Sequence, residues 1–227
     1  MKRKILLVDN EQETVKLASF HLQRAGYRLV TARDGRDALE KIRRTSPDLV
    51  VLDLNLPQID GLELCKLLRQ QAATERLPLV VLTARNSEID RILAFELGAS
   101  DFITKPFNAR EFVLRIGKQL NHREPVTTEG EVIKIADVLL DRGRHVVTVR
   151  EKAVDLTPIE FKLLSVLAEC RGRVQSRDHL MQQACGYEKG SCSRTIDTHM
   201  RRLRKKLGNA AKYVQTVRGF GYRFTNQ

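Results

Sequence analysis

The sequence predicts two consecutive domains: an α/β domain built on a doubly wound, parallel five-stranded sheet, followed by a smaller α+β domain. Three observations carry that reading. The 227 residues suit two cores of roughly 100 to 120 residues better than one large one. Short apolar runs alternate with helically spaced segments up to about residue 120, whereas short runs come first and helices later in the remainder. Basic charge is gathered at the C-terminal end, where residues 171–227 hold 13 Lys and Arg against 3 Asp and Glu, while residues 1–120 hold 20 against 16. A near-balanced front and a strongly basic end place polyanion binding in the second half.

The first domain is expected over residues 1–120. Strands are predicted at 4–9, 28–32, 48–53, 78–83 and 101–104, each short and most of them apolar and β-branched. Between them Val15, Ala18 and Leu22, then Ala38, Leu39 and Ile42, then Leu64, Leu67 and Leu68, then Ile89, Ile92 and Leu93, then Phe112, Val113 and Ile116 have helical spacing. Asp60 with Glu63 and Asn108 with Glu111 mark two helix starts, and Gly26 and Gly98 mark helix stops. Strict alternation of strand and helix implies a parallel sheet covered on both faces, with its ligand crevice beyond the C-terminal strand ends. Asp9, Asn10 and Glu11, then Asp53, Thr83 and Lys105 fall at that edge. Carboxylates suit a hard divalent cation, and a hydroxyl with an ammonium suits phosphoryl oxygens.

A linker is expected over 121–130, where apolar periodicity stops and Pro125, Thr127, Thr128 and Gly130 cluster. The second domain then covers 131–227. Apolar runs at 132–135, 138–140, 145–149 and 154–156 predict a small antiparallel sheet. Thr157-Pro158-Ile159-Glu160 supplies a cap, a proline at the first helical position and a capping Glu. Ser176, His179 and Leu180 suggest a second helix. In the stretch from Ser193 to Leu207, Ile196, Met200, Leu203 and Leu207 form an apolar stripe. Arg194, Thr198, Arg201, Arg202 and Lys205 project away from it, with His199 and Arg204 on the flanks. Such a helix fits the DNA major groove, where Arg reads guanine and other basic groups grip phosphates. The segment Tyr213 to Phe224 reads as a hairpin about Arg218-Gly219-Phe220-Gly221, and its Arg218 is placed to reach a minor groove.

Other classes are disfavoured. No apolar run approaches the roughly 18 residues of a membrane span, and the stretch after Met1-Lys2-Arg3-Lys4 is too short for a signal peptide. Cys65, Cys170, Cys185 and Cys192 lack the spacing of a zinc site or a disulfide framework. A soluble, cytoplasmic protein with no membrane partner is expected.

Residues 1–120 resemble the receiver domain of two-component response regulators, through Val-Asp-Asn-Glu at 8–11, Leu-Asp-Leu-Asn-Leu-Pro at 52–57, Leu-Thr-Ala-Arg at 82–85 and Phe-Ile-Thr-Lys-Pro-Phe at 102–107. The resemblance implies a flavodoxin-like fold. It makes Asp53 the phosphoacceptor, has Asp9, Asp53 and the carbonyl of Asn55 help hold Mg2+, and puts Thr83 and Lys105 on the phosphoryl oxygens. Phe102 becomes the switch aromatic, and the Lys105–Pro106 peptide is a candidate for the cis form. One position departs from the family pattern. Asn10 stands where a metal-touching carboxylate is usual, and its neutral amide oxygen should bind the cation more weakly. The family dimerises on the face made by the fourth helix, fifth strand and fifth helix. Here that implies Arg91 facing Glu111 and Asp101 facing Arg115 across a two-fold axis, around Ile92, Phe95 and Val113.

Residues 131–227 resemble the winged helix-turn-helix effector of the OmpR/PhoB family, through Leu-Thr-Pro-Ile-Glu-Phe at 156–161, Arg-Thr-Ile-Asp-Thr-His-Met-Arg-Arg-Leu-Arg-Lys-Lys-Leu at 194–207 and Val-Arg-Gly-Phe-Gly-Tyr-Arg-Phe at 217–224. This implies binding to direct-repeat promoter DNA, contact with RNA polymerase through the loop near 185–193, and a cognate sensor histidine kinase upstream. Arg202 and Arg204 are expected on bases and Arg194, His199 and Arg201 on the backbone, with Thr195, Thr198, Lys205 and Arg218 completing the DNA set. No enzymatic activity is expected beyond slow self-catalysed phosphoryl transfer to Asp53. A phosphorylation-dependent regulator is the first reading. A regulator working independently of Asp53 modification, because of Asn10, is the second, and a general polyanion or RNA binder is the third.

Overall fold

The computed structural model describes residues 2–121, 132–185 and 195–225. The chain divides into two compact units, Met1–Asn121 and His122–Gln227. Residues 122–131 and 186–194 lie outside the described residues, and with them most of the expected linker, the expected polymerase-contacting loop beyond Cys185, and Arg194.

In the first unit five strands, β1 (Lys4–Val8), β2 (Arg28–Ala32), β3 (Leu49–Leu52), β4 (Leu79–Thr83) and β5 (Asp101–Thr104), pair in parallel in the order β2-β1-β3-β4-β5. Helices α1 (Gln12–Arg24), α2 (Gly35–Thr45), α3 (Gly61–Gln70), α4 (Glu88–Glu96) and α5 (Ala109–Asn121) connect or follow them. Successive strand residues point to opposite faces. Ile5 and Leu7 therefore pack with Ala18, Leu22, Phe112 and Ile116, while Leu6 and Val8 pack with Ala38, Ile42, Leu64 and Leu68. Both faces are covered, which makes this a flavodoxin-like sheet. The strand order reverses between β1 and β3, so the crevice opens at their C-terminal ends.

Local chemistry starts and stops the helices. Asp60 accepts from the Leu62 N–H and Asn108 from those of Arg110 and Glu111. Asp34 and Ser87 cap α2 and α4 through the N–H groups of Asp37 and Asp90. Gly61 opens α3 tight against the chain at the end of β3. A Cβ there would collide with the Asp53 carbonyl, so only glycine lets the helix start beside that aspartate.

The second unit begins with an antiparallel sheet of β6 (Val132–Ile135), β7 (Val138–Asp141), β8 (Val146–Val149) and β9 (Lys152–Val154). Helices α6 (Pro158–Glu169), α7 (Arg177–Cys185) and α8 (Thr195–Leu207) follow. A second sheet sets β10 (Gln175–Ser176) and β11 (Val214–Val217) on either side of β12 (Gly221–Phe224). The β11–β12 hairpin is the wing of a winged helix. Ile196, Met200, Leu203 and Leu207 of α8 are all buried, as their spacing predicts. Thr157 and Glu160 form the expected capping box at α6. The buried Glu160 carboxylate also meets Lys206 of α8 at 3.0 Å, joining the start of α6 to the end of α8. Among the described residues no helix is long and apolar enough to cross a membrane.

Thr157→Ala removes one cap bond and is expected to lower the stability of the second unit by about 1 kcal/mol. Glu160→Ala removes the reciprocal bond and also the ion pair to Lys206, so its loss should be larger, roughly 2 to 4 kcal/mol. Denaturant unfolding of the two variants orders them.

Candidate functional site

The crevice of the first unit gathers its polar groups from four strand ends. Asp9 follows β1, Asp53 follows β3, Thr83 ends β4 and Lys105 follows β5. The Lys105 ammonium lies 2.7 Å from Asp53 Oδ2, 2.8 Å from Asp9 Oδ2 and 3.1 Å from Glu11 Oε2. Asp53 Oδ1 accepts from the Asn55 N–H at 3.1 Å, and Asp9 Oδ1 accepts from the Glu11 N–H at 2.9 Å. Asp53, Asp9 and Thr83 are buried, whereas Asn10 and Asn55 are exposed at the rim. The Lys105–Pro106 peptide is cis. Sequence reasoning placed Glu11 in this neighbourhood without giving it a role. In the structure Thr14 Oγ1 donates to its Oε2 at 2.7 Å and so holds that carboxylate toward Lys105.

Three carboxylates against one ammonium leave the pocket with surplus negative charge. Burial raises the Asp9 carboxyl above its ordinary value, partly offset by the bonds from Lys105 and the Glu11 N–H. Glu11 is lowered, first by the Thr14 hydroxyl and then by Lys105. Burial works against the Lys105 charge, but hydrogen bonds to Asp53 and Asp9 outweigh it and hold the ammonium above its usual range. Among the described residues no three acidic, His or Cys side chains surround a common metal position. Asn10, exposed beside Asp9, offers a neutral amide oxygen. Magnesium commonly takes only one or two carboxylates and keeps several waters. Asp9 and Asp53, with neutral oxygens from Asn10 and the Asn55 carbonyl, fit such a cation by their chemistry.

Arg85 closes the rim of this crevice, a role its place in the sequence did not reveal. Its Nε donates to Asn55 Oδ1 at 2.6 Å and its Nη2 to Asp60 Oδ2 at 3.0 Å, bridging the loops after β3 and β4. Phe102 is buried, with the Phe95 ring 6.5 Å away and the Arg91 guanidinium 5.6 Å from its own ring. Two expectations for the α4–β5–α5 face need correction. Phe95 is fully buried, so it supports that face from beneath and is not part of its surface. Arg115 bonds Asp101 at 3.0 Å and Glu111 at 2.7 Å within one chain, so these opposite charges are already paired before any second copy arrives. The exposed apolar groups are Ile89, Leu93 and Leu114, with Ile92 and Val113 half-buried beside them.

On α8 the exposed or half-exposed residues include Thr198, Arg201, Arg202 and Lys205, as expected. Thr195 and His199 are not on that face. Both are buried, because the apolar stripe is wide enough to take the neighbouring positions with it. Arg204 is also differently employed. Its Nε and Nη2 donate to the Val214 carbonyl at 2.9 and 2.7 Å, and Nη2 donates to Thr216 Oγ1 at 2.8 Å. The guanidinium expected on a base is thus spent on β11. Asp197, which sequence reasoning passed over, accepts from Tyr222 Oη at 2.6 Å and from Arg177 Nε at 2.9 Å. Burial first, and then Asp197, push the Tyr222 hydroxyl up to about 12. Arg218 is exposed in the turn of the wing, next to the exposed Phe220.

A doubly wound α/β unit with an acidic crevice, joined to a winged helix with a basic exposed face, is the architecture of a signal-responsive transcriptional regulator. Residues 5–117 match the response regulator receiver domain family, and residues 150–224 match the family described as transcriptional regulatory protein, C terminal. The chain is 39% identical over 234 residues to the alkaline phosphatase synthesis transcriptional regulatory protein PhoP of Bacillus subtilis (strain 168), an alignment spanning 98% of this chain and 97% of that protein. It is similar to the crystal structure of response regulator DrrB, a Thermotoga maritima OmpR/PhoB homologue, at 29% identity and a TM-score of 0.53 over 99% of this chain and 100% of that one. It is also similar to the structure of a RitR mutant, at 25% identity and a TM-score of 0.67 over 99% of this chain and 100% of that one. The chain belongs to the OmpR/PhoB family of response regulators.

The raised Asp9 carboxyl gives a pH test. A folded-state value above the unfolded one means that ionising Asp9 destabilises the fold, a cost that grows as pH rises through the folded value. With EDTA present, Asp9→Asn is expected to be more stable than wild type near pH 7, with the difference shrinking toward about pH 4. Thermal melts across that range check it.

Proposed function

We propose that this chain is a transcriptional regulator whose sequence-specific binding to promoter DNA is modulated by phosphorylation of Asp53. A sensor histidine kinase would supply the phosphoryl group, and a receiver-mediated dimer would occupy direct repeats. The observation that carries the reading is the Lys105 bridge to Asp53 and Asp9, made at a strand edge that also holds Thr83. Attack by an Asp53 carboxylate oxygen on a phosphodonor forms an acyl phosphate and releases the donor's leaving group. The product is a larger dianion with three acceptor oxygens. Lys105 is within reach to neutralise it and Thr83 to donate a hydrogen bond. Asp9, Asp53, Asn55 through its carbonyl, and Asn10 would hold Mg2+, which supplies charge neutralisation at the phosphoryl oxygens.

A phosphoryl group at Asp53 competes for the Lys105 ammonium and the Thr83 hydroxyl. Movement of Thr83 toward it would be followed by Phe102, the buried aromatic of β5, and so by α4 and α5. The exposed Ile89, Leu93 and Leu114 support this face as the one that pairs two copies. Exchange of the bonds that Arg115 makes to Asp101 and Glu111 within one chain for reciprocal ones across the two-fold, with Arg91 alongside, would favour a single alignment over many. Pairing then brings two α8 helices to adjacent half-sites, with Arg201, Arg202 and Lys205 toward the duplex and Arg218 toward the minor groove. RNA polymerase would be contacted through the loop after Cys185. A second reading, regulation without modification of Asp53, is favoured by Asn10, which leaves the cation one carboxylate short.

A duplex enriched from a random pool by the full chain supplies the probe. Wild type with acetyl phosphate and Mg2+ is expected to bind it roughly tenfold more tightly than untreated protein, within the usual range of allosteric coupling. Asp53→Ala is expected to show no gain, and equal gains in both proteins would favour the second reading. In salt titration the logarithm of affinity should fall about 0.9 per decade for each phosphate neutralised.

A further inference from the structure

We infer that Asp197 and Arg204 form a two-point clamp that sets the angle of the wing to the DNA-facing helix, and that neither residue reads a base. The inference rests on the DNA-binding reading and extends it to a pair of positioning residues. Positions seven apart on a helix return to nearly the same face, about 10 Å along the axis. Asp197 and Arg204 are so spaced on α8. From that shared face each takes a different strand of the hairpin. Asp197 receives the Tyr222 hydroxyl of β12, and Arg204 donates to the Val214 carbonyl and Thr216 hydroxyl of β11.

One polar contact between a helix and a hairpin is a pivot, whereas two contacts separated by two turns oppose rotation. The geometry of each is demanding. Arg204 places two nitrogens on one carbonyl oxygen, which a lysine ammonium cannot reproduce. The Tyr222 ring, itself buried, has the Arg204 guanidinium 5.4 Å and the Arg177 guanidinium 5.3 Å from its centroid, so the two attachments also meet through one aromatic. Arg177 completes the first point by bonding the same Asp197 oxygen that accepts from Tyr222, which brings in the start of α7. Just after the turn of the hairpin Gly221 lies where a Cβ would collide with the Gln175 carbonyl, so β12 also sits close against β10.

An acid among basic residues on a DNA-facing helix weakens the attraction to phosphate. Under the clamp, losing Asp197 costs more in alignment than it returns in charge. The wing tip carries Arg218, and its span from Arg201, Arg202 and Lys205 on α8 decides whether major and minor grooves can be addressed together. Loosening the clamp should therefore harm specific binding and spare non-specific binding.

The test uses the full chain, the duplex enriched from a random pool, and a mixed-sequence duplex of equal length. Asp197→Ala is expected to bind the enriched duplex about tenfold more weakly and the mixed duplex as well as wild type or better. Hydroxyl-radical footprints should lose protection on the minor-groove side and retain it across the major groove. Asp197→Asn, which keeps an oxygen acceptor, should stay within about threefold of wild type, while Arg204→Lys, which keeps the charge, should resemble Asp197→Ala. Tyr222→Phe removes one hydroxyl and guards against a misfolded variant; a smaller loss with the same footprint change supports the clamp. The proposal is overturned if Asp197→Ala and Tyr222→Phe bind the enriched duplex as tightly as wild type with the wing footprint intact. It is equally overturned if affinity for both duplexes falls in parallel. Failure of wild type to enrich any duplex would instead remove the DNA-binding reading beneath it.

Discussion

At the C-terminal edge of the parallel sheet one ammonium group faces three carboxylates, and the behaviour of the first unit turns on that imbalance. Lys105 lies within 3.1 Å of Asp9, Glu11 and Asp53. Two of those acids are buried, where an unpaired charge is costly. The site is therefore held together by a cation that is itself outnumbered, and any added group that changes the charge at Asp53 redistributes the bonds of Lys105. The pocket lies where strand order reverses, and the loops at four strand ends meet in it.

Asn10 places a neutral, exposed amide at the rim of this arrangement. The Asp9 carboxylate is directed at Lys105, 2.8 Å away. In the proposed cation site, what Asn10 would change is the number of negative charges available to the ion. An amide oxygen can occupy a ligand position, but it contributes a dipole where a carboxylate would contribute a full charge. The two readings of regulation differ by that one substitution, and the remaining pocket residues serve either.

The second unit is organised by its longest amphipathic helix. One side of α8 is consumed by packing, and on a second strip Asp197, itself exposed, and Arg204 bond the wing. Only the remaining strip is left for an outside partner. Of a helix crowded with arginines, just part is therefore available to DNA, and the Glu160–Lys206 pair at 3.0 Å takes another cation out of play. The basic side chains of α8 divide between contacts within the unit, at Arg204 and Lys206, and an exposed face at Arg201 and Lys205.

Periodicity and end signals determined much in advance. The strand positions of the first unit agree with the structure to within a residue, because strands buried on both faces read as short continuous apolar runs such as Ile-Leu-Leu-Val. The polar residues at strand ends were legible for the same reason, since a parallel sheet forces them to one edge. The stripe from Ile196 to Leu207 was legible from its spacing alone. Partner choice was not. Helical spacing gives the direction of a side chain but not what stands opposite it, so Arg204 looked like a reader of bases, and Thr195 and His199 looked exposed. The roles of Asp197 with Tyr222, 25 residues apart, and of Arg85 with Asn55, 30 apart, depend on where folding brings distant segments together. Local sequence dictates which face a residue takes. Only the packed chain decides whether that face meets solvent, a neighbouring strand or a buried core.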